Sequence, residues 1–256
     1  MIKIKGHSNF EVKIVKYEKT NTFFISKKSN SKNCKRLEKQ IKKQITFLNS
    51  TFLNNVSVPK IIKKIVNNDS VEYIMEYIYF SENIIDFFSN ENTLKVNWFI
   101  RNLIDIIDKY IEKCDYKKIK RKTLMDKLQS VKTNIMNNKI IDFENPIIKD
   151  AFHFLNSDSN LEKIINIEYP IGINHGDLTF SNILIDCNEM KLYLIDFLDS
   201  FIESPLLDIV KIRQDTKYLW TLHLYEHFYD KNKMIIYFNY IDEIIDTYFK
   251  KYDFYV

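Results

Sequence analysis

The sequence predicts an α+β protein built as two lobes around a cleft. Three observations carry that prediction. Short β-branched and aromatic runs crowd the first third around one amphipathic stretch. The remainder has helical periodicity, broken by a single apolar hairpin pattern. With 3 glycines and 4 prolines in 256 residues, no Pro/Gly/Ser linker separates the halves. The expected lobes are residues 1–78 and 79–256, folding as one cooperative unit.

Taken in order, residues 2–5, 10–17 and 22–27 read as strands separated by the turn-formers Gly6-His7-Ser8-Asn9 and Glu18-Lys19-Thr20-Asn21. After Ser29-Asn30-Ser31, a good cap region, Leu37, Ile41, Ile45 and Leu48 mark the apolar stripe of a helix. Val58-Pro59 ends a loop, and strands are expected over residues 61–66 and 71–78. Phe99, Leu103, Ile104, Ile107, Tyr110 and Ile111 give one strong helical face, and Leu124, Leu128, Val131 and Ile135 a second. Pro146 suits the first turn of a short helix through Leu155. The stretch 169–175 reads as a loop, residues 183–185 and 192–195 as a hairpin, and helices resume after Pro205.

Composition excludes several classes. A hydrophobic content of 45% against 28% charged residues fits a water-soluble globule, and the net charge of +4 is spread rather than blocked, unlike a dedicated nucleic-acid binder. No stretch approaches the length of uncharged apolar chain a membrane span needs, and the N-terminus has no signal-like apolar region. Cys34, Cys114 and Cys187 lie far apart without a CxxC pair, which suits a reducing cytoplasm better than a disulfide or zinc framework.

The chemistry concentrates in Asn174-His-Gly-Asp-Leu-Thr-Phe-Ser-Asn182, followed by a strand pair that ends in Ile195-Asp196-Phe197. An acid and an amide five residues apart on a loop, with another acid closing the next strand, are the parts phosphoryl transfer needs: a group to take a hydroxyl proton and oxygen donors for Mg²⁺. Either piece alone is an ordinary turn cap; the composite is not.

At these residues the chain resembles the aminoglycoside phosphotransferase and choline kinase family, relatives of the protein kinases, whose loop reads H-R-D-L-x-x-x-N. The resemblance implies a two-lobed protein-kinase-like fold with a small β-rich N-lobe, a larger helical C-lobe and the active site between them. It implies Asp177 as catalytic base, Asn182 and Asp196 as Mg²⁺ ligands, and His175 as a support for the loop. Ser204-Pro205-Leu206-Leu207-Asp208 is similar to a family segment whose aspartate pins that loop. ATP or GTP would be the co-substrate. Lys27, closing the third strand, stands where the family steadies the phosphates, with Lys28 as its register-shifted rival. Its acidic partner is expected on the following helix, at Glu38, with Gln44 as the alternative. Glu76, Tyr77 and Ile78 fall where the family joins its lobes and reads the nucleotide base through the backbone. The family's phosphate-covering loop is represented only by Gly6-His7-Ser8-Asn9, so fewer backbone contacts are expected there.

Several features read as solvated or structural. The basic run Lys32, Lys35, Arg36, Lys39, Lys42 and Lys43 reads as the wet face of its helix, and Lys117, Lys118, Lys120, Arg121 and Lys122 as a loop. Tyr218, Trp220, Tyr225, Phe228 and Tyr229 read as core, on the side where the family binds its acceptor. The expected activity is Mg²⁺-dependent transfer of a γ-phosphoryl group to a hydroxyl of a small polar metabolite, such as a sugar, amino sugar or amino alcohol. No nucleic acid or membrane is expected as a partner. The alternative is a nucleotide-binding protein without turnover. Acids (Asp199, Glu203, Asp215, Glu226) mixed with bases (Lys211, Arg213, Lys217) after Asp196 give no polycation signature, which speaks against an antibiotic-resistance kinase.

Overall fold

The computed structural model describes residues 2–4, 10–49 and 53–255. The chain runs through β1 (Ile2–Ile4), β2 (Glu11–Tyr17) and β3 (Thr22–Lys28), then α1 (Cys34–Asn49), β4 (Val56–Ser57), β5 (Ile61–Asn67) and β6 (Ser70–Glu76). It continues with β7 (Ser81–Asn83), α2 (Ile84–Asn90), α3 (Thr93–Glu112), β8 (Asp115–Lys118), α4 (Arg121–Met136), α5 (Pro146–Asn156), α6 (Asp158–Asn166) and β9 (Glu168–Ile171). The hairpin β10 (Ile183–Asp186) and β11 (Lys191–Leu194) precedes α7 (Pro205–Tyr218), α8 (Trp220–Leu224) and α9 (Lys231–Phe249). About half of it is helix, and the class is α+β. No helix among the described residues is long and apolar enough to cross a membrane.

Five antiparallel strands form the first sheet in the order β1-β2-β3-β6-β5. Helix α1 covers it, burying Leu37 and Ile41 with Phe10, Val71, Tyr73 and Met75 in a small core. The stripe read from the sequence is rotated: Ile45 is exposed, and Gln40, Gln44 and Phe47 are buried instead. Gln44 can afford burial because its Nε2 donates to Pro59 O at 2.7 Å. Strand β6 stops at Glu76, two residues short of expectation, and residues 77–80 lead to the second sheet, ordered β4-β11-β10-β7.

The larger core gathers nine buried apolar residues of α3 with α2, α7, α9 and the inner faces of β10 and β11. Asn83 and Asn92 cap α2 and α3, each accepting two backbone amides, and so fix where those helices begin. The stretch expected as a loop from residue 169 opens with β9, which pairs antiparallel with β8. Pro170 is tolerated because that ribbon has only two strands, both of them edges. Lys117 and Lys118 therefore lie on a strand, and Arg121 and Lys122 begin α4. The apolar side of α4 is its least exposed one, yet none of its residues is fully buried.

Candidate active site

The loop before β10 is organised from behind by two buried aspartates on α7. Pro205 at the first turn and Ser204 as cap, its side chain accepting from Leu206 N, start α7 so that residues 208, 211, 212 and 215 share one face. Asp208, fully buried, accepts His175 N and Gly176 N, each at 2.7 Å, one on each oxygen. Asp215 likewise accepts Phe180 N at 2.6 Å and Thr221 N at 2.7 Å. Burial outweighs those bonds and pushes Asp208 up to about 7 and Asp215 above its ordinary value. Gly176 lies at φ +88°, and a Cβ there would stand 2.0 Å from Leu198 O, so the loop needs glycine at this point.

His175 supports the loop from inside. Its Nδ1 accepts Asp177 N at 3.2 Å, so Nε2 carries the proton and donates to Ile195 O at 2.9 Å. The ring packs on Phe197 with centroids 4.2 Å apart. Burial pulls its pKa down to about 4, which keeps the imidazole neutral near pH 7.

On this support Asp177 and Asn182 face each other. Asn182 Nδ2 donates to Asp177 O at 2.8 Å and to Asp177 Oδ2 at 3.1 Å. Asp196 is brought alongside because Ile195 N donates to Asn182 O at 3.0 Å. Its φ of +61° is a left-handed conformation unusual for a residue with a side chain, and such strain clusters at functional positions. From the other sheet Lys27, 1% exposed, crosses 169 positions of sequence to reach Asp196 Oδ1 at 2.8 Å. Lys27 from the first sheet and Asp196 from the second half of the chain thus meet in one ion pair.

Other expectations change. Lys28 is exposed, which leaves Lys27 as the inward cation. Glu38 is not its partner: it pairs with Lys64 at 3.0 Å on a half-exposed surface, and Gln44 is committed to Pro59. Glu76 holds the β5 edge, its Oε2 accepting Lys60 N and its own N–H donating to Lys60 O. Tyr77 packs with Phe23 and Tyr79, and Ile78 O accepts Ser81 Oγ, in the segment between the sheets. Gly6-His7-Ser8-Asn9 lies outside the described residues. Tyr218 and Phe228 are exposed at 74% and 97%, not core, while Tyr225 bonds Asp86.

Of the α1 lysines, Lys43 is turned inward while Lys39 stays on the wet face. Lys39 pairs with Asp199 at 3.0 Å, and Lys43 reaches both Glu203 Oε2 and Leu198 O at 2.6 Å. Lys211, which the sequence offers only as one of the bases after Asp196, has its Nζ 3.0 Å from Asp177 Oδ1. Its spacing of three from Asp208 on a helix begun by Pro205 was the available signal.

The oxygen donors suit a hard cation. Asn182 commits its Nδ2 to Asp177, so its Oδ1 is left as an acceptor, and Asp196 supplies a carboxylate. Among the described residues no three His, Cys, Asp or Glu side chains form a metal-holding group. Asn182 Oδ1 and the Asp196 carboxylate are the two side chains that could hold Mg²⁺, which is commonly bound by one or two protein ligands plus substrate phosphates. A cavity of about 1050 Å³ lies elsewhere, between α7 and the C-terminal residues, lined by Tyr169, Val210 and Tyr252 among others. Compared with known proteins, the chain matches no family model and no curated sequence.

Proposed function

We propose that the protein is a kinase for small molecules, of the aminoglycoside phosphotransferase and choline kinase type, with a two-lobed protein-kinase-like fold. One observation carries the reading: Lys27 from the first sheet, Asp196 after the hairpin, and the hydrogen-bonded pair Asp177 and Asn182 converge between the two sheets.

In this reading Asp177 accepts the hydrogen bond of the acceptor hydroxyl and takes its proton as the oxygen attacks phosphorus. Lys27 leaves Asp196 to steady the phosphates of ATP or GTP. Asn182 and Asp196 would hold Mg²⁺, which supplies positive charge beside the phosphate oxygens when bound. His175, Gly176 and Asp208 keep Asp177 at a fixed angle, and most of the rate comes from that positioning.

The test is Asp177→Asn, scored for acceptor-dependent release of nucleoside diphosphate and for nucleotide binding. Loss of general-base catalysis lowers turnover about 10²- to 10⁴-fold while binding persists; unchanged turnover refutes the assignment. A second reading, nucleotide binding without turnover, draws support from Glu38 standing away from Lys27. Wild-type protein that binds ATP and Mg²⁺ but releases no diphosphate with any hydroxyl compound would favour it.

A further inference from the structure

We infer that Lys211 selects an acceptor carrying a negatively charged group, a carboxylate or phosphate, beside the hydroxyl to be phosphorylated. The inference rests on the kinase reading above and deepens it. A hydroxyl that gives its proton to Asp177 must lie against that carboxylate, and Lys211 Nζ is already 3.0 Å from Asp177 Oδ1. A substituent on the Oδ1 side of the hydroxyl therefore meets an ammonium group.

An ammonium has three donors. Lys211 spends one on Asp177 and one on Gln214 Oε1 at 3.2 Å, and its side chain remains 34% exposed. The third donor is left for an incoming anion.

The five acids of residues 196–215 are meanwhile occupied. Asp196 is held by Lys27, Asp199 by Lys39 and Glu203 by Lys43. Asp208 and Asp215 are buried and turned onto backbone amides. A polycation or a quaternary amine would face Lys211 with none of these five carboxylates to offset the repulsion. In the step itself the acceptor oxygen forms the new P–O bond as the bond to the β-phosphate oxygen breaks. Its proton passes to Asp177, and nucleoside diphosphate leaves.

The experiment measures diphosphate release from ATP and Mg²⁺ with glycerate, glycerol 3-phosphate, glycerol, choline and kanamycin, using wild type, Lys211→Met and Lys211→Arg. Glycerate and glycerol 3-phosphate separate the carboxylate from the phosphate source of the charge. In wild type at least one of these two anions exceeds glycerol in kcat/KM by about 10- to 100-fold, the range expected for a hydrogen bond to a charged group. Lys211→Met collapses that ratio, and Lys211→Arg restores most of it. A purely structural role for Lys211 lowers all acceptors together and leaves the ratio intact, which overturns the inference but not the kinase reading. Preference for choline or kanamycin does the same. Absence of diphosphate release with every probe, together with no nucleotide binding, overturns both.

Discussion

Replacing Asp208 by Asn isolates the carboxylate that holds the loop. In the wild type each oxygen takes one amide, from His175 and from Gly176. Asparagine keeps one acceptor and turns an NH₂ toward the other amide, leaving a buried N–H unsatisfied at a cost of about 1–3 kcal/mol. The second effect depends on pH. Burial raises Asp208 from an ordinary 3.8 to about 7, so the folded state binds its proton more tightly than the unfolded state. The sign follows: this group's contribution is complete below about pH 4 and is lost as pH rises through about 7. Between about pH 5 and pH 8 the wild type loses on the order of 2–3 kcal/mol from this group, at about 1.4 kcal/mol per pH unit, and the variant does not. The deficit of Asp208→Asn is therefore largest near pH 5 and shrinks or reverses by pH 8. His175 slopes the other way: with its pKa lowered to about 4, its contribution is present above 6.5 and lost as pH falls through about 4. Because His175 remains in both proteins, the difference between their curves reports Asp208. The assay is urea unfolding followed by tryptophan fluorescence across that pH range. A deficit that stays constant or grows with pH refutes the reasoning, since it means that the amides and Lys43 outweigh burial.

Three other substitutions test neighbouring claims. Gly176→Ala forces a side chain into a positive-φ position and against Leu198 O; it lowers stability by about 3 kcal/mol or more, and a melting temperature equal to wild type contradicts the geometry. Lys27→Met keeps the stem and removes the charge from a buried site whose partner Asp196 is 39% exposed. Stability then changes by less than about 1 kcal/mol, while ATP affinity measured by calorimetry falls about tenfold or more; the reverse pattern would make the pair a purely structural bridge. Glu38→Gln shifts stability by less than about 0.5 kcal/mol, because its pair with Lys64 is half exposed, and a large loss of ATP affinity would restore it as a site residue.

The sequence was most legible where one period or one short motif decides the outcome. The face of α3 follows from apolar spacing alone, and the β10–β11 hairpin from two short apolar runs around a polar turn. Asp177 and Asn182 meet because they sit five residues apart on one loop, which a local pattern can express. The stripe of α1 misled because two glutamines are buried there, one with a backbone partner that hydropathy does not register. Strand β9 was hidden by Pro170, a residue that argues against central strands but not against edges. Lys43 reads as wet face and Lys211 as one of several bases because their partners, Glu203 and Asp177, come from distant segments; helix spacing places Lys211 on the Asp208 face but does not name its partner.

Helix α1 explains how the two sheets hold a shared site without a large interface of their own. Leu37 and Ile41 belong to the small core, but Phe47, near the other end of the helix, belongs to the large one, where it packs on Phe197 and Tyr110. One rigid rod is thus anchored in both cores by apolar burial, the term that dominates stability. Between those anchors the same helix presents Lys39 and Lys43 to residues 198–203, while Lys27 takes Asp196 at the start of that segment. Exposed ion pairs such as Lys39 with Asp199 add little energy, so their effect is on geometry: they fix where the chain runs after Asp196. Apolar packing sets the distance between the sheets, and charge sets the path of the strand end that carries the carboxylate. Ion pairs can exchange partners at small net cost, whereas a packed core cannot. In the proposed kinase reading, an arrangement of this kind would let Lys27 trade Asp196 for a phosphate while the two packed cores stay in place.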